Sequence, residues 1–248
     1  MWHPFQIMPS HIAADEAVKS GAKPSPSCRM IYRERVIRWF LRDTDEDGYR
    51  LPNVDDRTGM TIEKRAAGGD HIELKVRHQK DLGVRHILQG SIKARRDDWR
   101  SPVSWDFTQE FPRGSGFGDF RESGEWEPGK ARLVSRGGGR EIVRIEAVAS
   151  LTSLYSLLAD FPARVNSYPE STETAVLEDV SVINRGARFQ PVPQLVKEHE
   201  MASGLRGLAL DYAANFPVEF WVNDHGAVIY ACFGPNRALF LERIEEIS

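Results

Sequence analysis

The segment from Phe216 to Ile244, FPVEFWVNDHGAVIYACFGPNRALFLERI, constrains the fold more than any other. Two turn clusters, NDHG at 223–226 and GPNR at 234–237, cut it into three short runs rich in β-branched and aromatic residues, the pattern of antiparallel strands. A four-residue loop at 223–226 pairs Val222 with Ala227, Trp221 with Val228 and Glu219 with Tyr230. One face then collects Val218, Phe220, Val222, Ala227, Ile229, Ala231, Phe233 and Phe240. The other collects Trp221, Val228, Tyr230, Cys232, Leu239 and Leu241, with Glu219 among them. A sheet with one wet face alternates apolar and polar residues; this one is apolar on both sides and must be covered on both.

The rest of the chain continues in this style. MIYRERVIRWFLR from Met30, HIELKVRHQ from His71, GVRHILQGSIKARR, SWDFTQEF from Ser104 and TAVLEDVSVINRG all read as strands. KARLVSRGGGREIVRIEAV reads as a hairpin turning at Arg136-Gly137-Gly138-Gly139. One helix stands among them, because Leu151, Leu154, Tyr155, Leu158 and Phe161 recur at three- and four-residue spacing before Pro162. A shorter one is expected over His11–Lys19, ahead of the breaker GAKPSPS. The fold class is therefore mainly β: a large curved antiparallel sheet or incomplete barrel wrapped around one or two helices. The domain reading is a peripheral arm over residues 1–28 and a single β-rich domain over 29–248.

Composition narrows the function classes. With 248 residues, 41% hydrophobic and 28% charged, the chain has an ordinary globular make-up. A net charge of −3 argues against nucleic acid, although residues 60–102 are enriched in Lys and Arg and the C-terminal third is acidic. No apolar run has the length of a membrane span, so no integral membrane segment is expected. The two cysteines, Cys28 and Cys232, can form one bridge in an oxidising compartment or stay as separate buried thiols; two free thiols is the favoured reading.

Motifs give little chemistry. In DTDEDGY, Asp43, Asp45 and Asp47 precede a glycine as in a calcium loop. The twelfth position, which needs a bidentate carboxylate, is Val54, and the flank reads as strand, so an acidic turn is preferred over a metal site. PRGSGFGDF and SRGGGRE lack the lysine and helix of a phosphate loop, and no serine-nucleophile or zinc spacing occurs among the seven scattered histidines. No cofactor is implied. Glu219 stands out as a carboxylate on an apolar face, which demands a partner or a raised pKa.

With KVRHQKDLGVRHIL as an early hairpin and FWVNDHGAVIYACF as a late meander, the layout resembles secreted bacterial β proteins of the LolA/VioE-like type. That resemblance implies a half-closed barrel with a helix on its concave side, a hydrophobic or lipid-like small molecule as partner, and a periplasmic or extracellular location after signal removal, with the cytoplasm as the alternative. The expected pocket is lined by Trp39, Trp105, Phe107, Trp221 and Tyr230, with Glu219 or Arg77 orienting the ligand. The same aromatics can equally be core. The competing readings are an enzyme using Glu219, Tyr230 or a histidine as acid or base, and a protein-interaction module without a small ligand.

Overall fold

A computed structural model of the chain describes residues 21–36, 59–81, 85–162, 173–178, 182–191, 205–211, 218–233 and 237–247. Trp39, the aspartates of DTDEDGY and the expected helix over His11–Lys19 lie outside the described residues.

Eight strands follow one another as a meander: β1 (Cys28–Val36), β2 (Gly59–Ala66), β3 (His71–Asp81), β4 (Arg85–Arg95), β5 (Pro102–Glu110), β6 (Phe120–Glu127), β7 (Lys130–Gly137) and β8 (Arg140–Glu146). After β9 (Leu151–Ser153) and the helix α1 (Leu154–Ala159) come β10 (Thr174–Glu178), β11 (Val182–Pro191), β12 (Leu205–Asp211), β13 (Val218–Asn223), β14 (Val228–Phe233) and β15 (Arg237–Glu246). Pairing of β1 with β15 joins both series into one fifteen-stranded sheet ordered β8 to β1, then β15 to β9. Every neighbouring pair is antiparallel except β9 and β10.

The sheet curls around α1. Leu154 to Ala159 are all buried, as a mostly apolar helix enclosed by the sheet requires. Tyr32 of β1 donates its hydroxyl to Leu158 O at 3.1 Å or Val228 O at 3.2 Å, linking helix and sheet. Arg185 of β11 reaches Glu146 of β8 at 3.2 Å, so the two halves of the sheet approach across the open side. The mainly β class and the incomplete-barrel curvature are as the sequence indicates.

Four cross-strand pairs place an aromatic opposite a glycine: Phe107 and Gly90, Trp105 and Gly124, Phe120 and Gly137, Trp221 and Gly207. A Cβ on Gly124 would sit 2.1 Å from the Trp105 ring, and one on Gly207 3.0 Å from the Trp221 ring. Each ring therefore lies across the neighbouring backbone, a device that fills the missing side chain and tolerates strong curvature.

Three local expectations are corrected. The helix is shorter than the Leu151–Phe161 periodicity suggests, because Leu151–Ser153 pairs in parallel with Ala175–Leu177, and Thr152 Oγ1 donates to Trp99 O at 2.5 Å. Asp160 then ends it at φ −153, immediately before Phe161 and Pro162. In the glycine hairpin, Gly137 still pairs with Arg140, and Gly138 and Gly139 alone form the turn at φ 56 and φ 73. Two positive φ values are what a two-residue hairpin turn needs.

The third correction concerns β13 and β14. Asn223 Oδ1 accepts from the backbone N–H of His225 and Ala227, and an irregularity falls between Trp221 and Val222. The extra residue shifts the register, so Trp221 faces Tyr230 and Glu219 faces Cys232. In the separate ladder with β15, Phe240 faces Tyr230 and Leu239 faces Ala231, the reverse of the expected faces.

Candidate functional site

Period-two alternation decides which side chains enter the curl. On β3, Ile72, Leu74, Val76, His78 and Lys80 share the inner face and are buried, while Glu73, Lys75 and Arg77 are exposed. One rung runs Tyr32, Met60, His78, Leu88 across β1 to β4, and Lys80 lies opposite His86. Glu34, two residues beyond Tyr32, completes a group of four ionisable side chains at one end of the concave face. Exposures are 5% for Glu34, 7% for His78, 4% for Lys80 and 5% for His86.

Their geometry is ordered. His78 Nδ1 and the Tyr155 hydroxyl of α1 share a hydrogen bond at 3.3 Å. On its other side, His78 Nε2 lies 3.8 Å from Glu34 Oε2. The Tyr155 ring meets His78 edge-on and packs against Phe107, with centroids 6.2 and 5.7 Å apart. His86 stacks on Phe111 at 5.0 Å. Beside Tyr155, the buried Ser156 hydroxyl has no hydrogen-bond partner among the described residues. An imidazole between a phenol and a carboxylate can pass a proton between them or hold a polar ligand group in either tautomer.

Two further polar nodes anchor the inner face. Glu122 is fully buried and accepts from Trp105 Nε1 at 3.4 Å and Ser135 Oγ at 3.0 Å. Asp160, at the end of α1, pairs with Lys64 Nζ at 3.1 Å and Arg100 Nε at 2.8 Å.

The sequence-selected residues fall into three places. Trp105 and Phe107 are on the inner face, covering glycines of the adjacent strands, and Phe107 touches Tyr155. Glu219, Trp221 and Tyr230 sit on the opposite face of β13 and β14, buried with Cys232 and Phe240. There, burial pushes the Glu219 carboxyl up to about 8. Burial, followed by the neighbouring Glu219, pushes the Cys232 thiol up to about 12, the Tyr230 hydrogen bond opposing it. Cys28 and Cys232 are both free and buried. Arg77 is exposed on the outer face and makes no ion pair among the described residues. The inner and opposite-face groups do not converge on one pocket.

The outer face of β15 and β1 to β7 carries two clefts, of about 530 Å³ and about 880 Å³. Both are floored by small residues such as Ser91 and flanked by long charged ones, including Arg29, Glu63, Lys75 and Asp106. Arg29 bridges Glu63 and Glu245, and Arg121 holds Asp106, so part of these walls is made of cross-strand ion pairs.

Glu34, His78, Lys80, His86 and Tyr155 were missed as a group by sequence reasoning. The signal was present: extending the alternation of HIELKV by two steps carries His78 and Lys80 onto the apolar face, and Met30, Tyr32, Glu34 do the same on β1. Among the described residues no cluster of His, Cys, Asp and Glu has the geometry of a metal site. No helix of the described residues is long and apolar enough to cross a membrane.

These features define a β-barrel-like protein built from one curled sheet. No family model matches the chain, and no curated protein matches it. Among solved structures, it is similar to a β-barrel-like protein of the Domain of Unknown Function DUF1849 from Brucella abortus, with 12% identity and a TM-score of 0.52. The likeness covers 92% of this chain and 100% of that one. It supports the β-barrel-like fold and does not single out the LolA/VioE-like group.

Proposed function

We propose that the half-barrel binds an amphipathic small molecule on its inner face. Its apolar body lies against Met60, Leu88, Phe107 and Trp105, and its polar head meets Glu34, His78, Lys80 and His86. The observation that carries this reading is the group of four ionisable side chains buried among apolar ones on adjacent strands. Burying such groups is costly, and a cluster of them on one concave face supplies the polar contacts that an amphipathic head group needs. Glu219, Trp221 and Tyr230, on the opposite face, stand outside this pocket and support the strands that shape it.

The test is native mass spectrometry of freshly purified protein, followed by titration with cis-parinaric acid, an intrinsically fluorescent fatty acid. Saturable binding that Phe107→Ala weakens and Lys80→Met alters is the expected result. Absence of both a co-purified mass and saturable fluorescence refutes it. The resemblance to exported β proteins extends the proposal to a periplasmic or extracellular site of action, which fractionation of cells expressing the native gene checks.

One observation favours a second reading, acid–base catalysis: the alignment of Tyr155, His78 and Glu34. Turnover of activated ester or glycoside substrates that disappears in His78→Gln would support it. Turnover unchanged in that variant excludes His78 as the base.

A further inference from the structure

The fifteen-stranded sheet ends at β8, and this edge is unusual in what it exposes. Among the described residues β8 pairs with β7 alone, in unbroken register and without proline. Exposed sheet edges are ordinarily protected by bulges, prolines, inward charges or a covering segment. Here Ile142, Val143 and Ile145 are instead 57%, 48% and 62% exposed, three of the four large apolar side chains left open among the described residues.

Hairpin geometry says which backbone groups the edge offers. The two-residue turn closes on Gly137 and Arg140, which exchange hydrogen bonds as the last pair of the ladder. Alternation along an antiparallel ladder then turns Arg140, Ile142, Arg144 and Glu146 toward β7. The N–H and C=O groups of Glu141, Val143 and Ile145 point to the open side.

From this we infer that β8 is a self-association surface whose partner is β8 of a second copy of this chain, paired antiparallel about a two-fold axis through Val143. In that register Val143 bonds its own copy, and Glu141 bonds the partner's Ile145, so each outward-pointing group finds its complement. Arg140, which makes no ion pair among the described residues, falls opposite the partner's Glu146 and there joins the Arg144 and Arg185 that Glu146 already holds within its own chain. Ile142 packs along the stem of the partner's Arg144. The sequence REIVRIE selects this register by charge. A slip of one step in one direction sets Arg140 against the partner's Arg144, and in the other it sets Arg144 against its own copy. The surface is the same patch on both subunits, as closed two-fold symmetry requires. This inference does not depend on the proposed ligand.

Sedimentation velocity over a concentration series tests it, with Val143→Lys as the variant. The native protein should show a reversible monomer–dimer equilibrium. Val143→Lys places two ammonium groups opposite each other across the axis and should leave monomer only, with circular dichroism unchanged and a thermal midpoint equal to that of the native protein at dilutions where both are monomeric. As a second readout, Val143→Cys should give a cross-linked dimer on oxidation, since Cα atoms of a hydrogen-bonded antiparallel pair lie about 5.5 Å apart, within disulfide reach. A native protein that stays monomeric at every concentration overturns the inference. So does a dimer that survives Val143→Lys.

Discussion

Asp160 joins the helix to β2 and to the connection between β4 and β5, and its replacement by asparagine has a predictable size. Lys64, on the inner face of β2, is 3% exposed at its side chain, and its ammonium lies 3.1 Å from Asp160 Oδ1. Arg100, 14% exposed, reaches Oδ2 at 2.8 Å, and Arg96 lies 3.7 Å away. Removing one member of a buried ion pair typically costs about 3–5 kcal/mol, because the other charge is left in a poorly solvated place. Asparagine keeps one acceptor oxygen, and Asp160 is 17% exposed, so the lower end of that range, about 3 kcal/mol, is expected. For a chain of this size that corresponds to roughly 6–12 °C in thermal midpoint. Lys64→Met removes the cation while leaving Asp160 paired with Arg100, and should change stability by less than about 1 kcal/mol. The double variant should then be more stable than Asp160→Asn alone, since no buried ammonium remains. Urea titration of all four proteins closes the cycle. Additivity within about 0.5 kcal/mol would show that Lys64 and Asp160 are not coupled and would refute the argument.

Gly124→Ala forces a Cβ to within 2.1 Å of the Trp105 ring and should destabilise by about 1–3 kcal/mol in urea titration, less in a Trp105→Leu background where the ring is gone. Tyr32→Phe removes the hydroxyl that bonds Leu158 O or Val228 O, and a loss of about 0.5–1.5 kcal/mol in the same assay is expected. Glu219 has a folded-state pKa of about 8 against an ordinary 4.5, so the native state keeps a proton that the unfolded chain releases. Its contribution is full below the ordinary value and is lost as pH rises toward and through about 8. Glu219→Gln should therefore flatten the decline of thermal midpoint over that window and gain on the native protein at the alkaline end.

Much of the fold is legible in the sequence because its strands announce themselves twice. Alternation in HIELKVRHQ and two-sided apolarity in FWVNDHGAVIYACF are separate signals, and both report burial on the correct faces. Turn chemistry was harder. Asn223 spends its side-chain oxygen on two backbone donors and adds a residue to the ladder, which composition alone does not reveal. The helix was overextended for a related reason. Leu151 satisfies a helical period, yet Leu151 and Thr152 pair with β10, more than twenty residues later in the chain, a tertiary preference that local spacing cannot carry.

The candidate site shows a different failure, one of emphasis. Trp105, Phe107 and Trp221 attract notice as large aromatics, but each lies over a glycine of the adjacent strand, and the pairing that explains them requires the register. An aromatic facing a glycine is first a curvature device. Of these rings, Phe107 also has a polar neighbour, packing against Tyr155 with centroids 5.7 Å apart. The more informative residues are those whose character conflicts with their parity: Glu34 after Met30 and Tyr32, and His78 and Lys80 after Ile72, Leu74 and Val76. A core strand that ends on an acid, an imidazole or an ammonium must desolvate each of them, a cost that contacts such as His78 to Tyr155 and Glu34 offset. That conflict recurs on β1, β3 and β4 at the same end of the sheet. The end of the curl that holds them, rather than its aromatic middle, is where the function of this β-barrel-like protein should be sought.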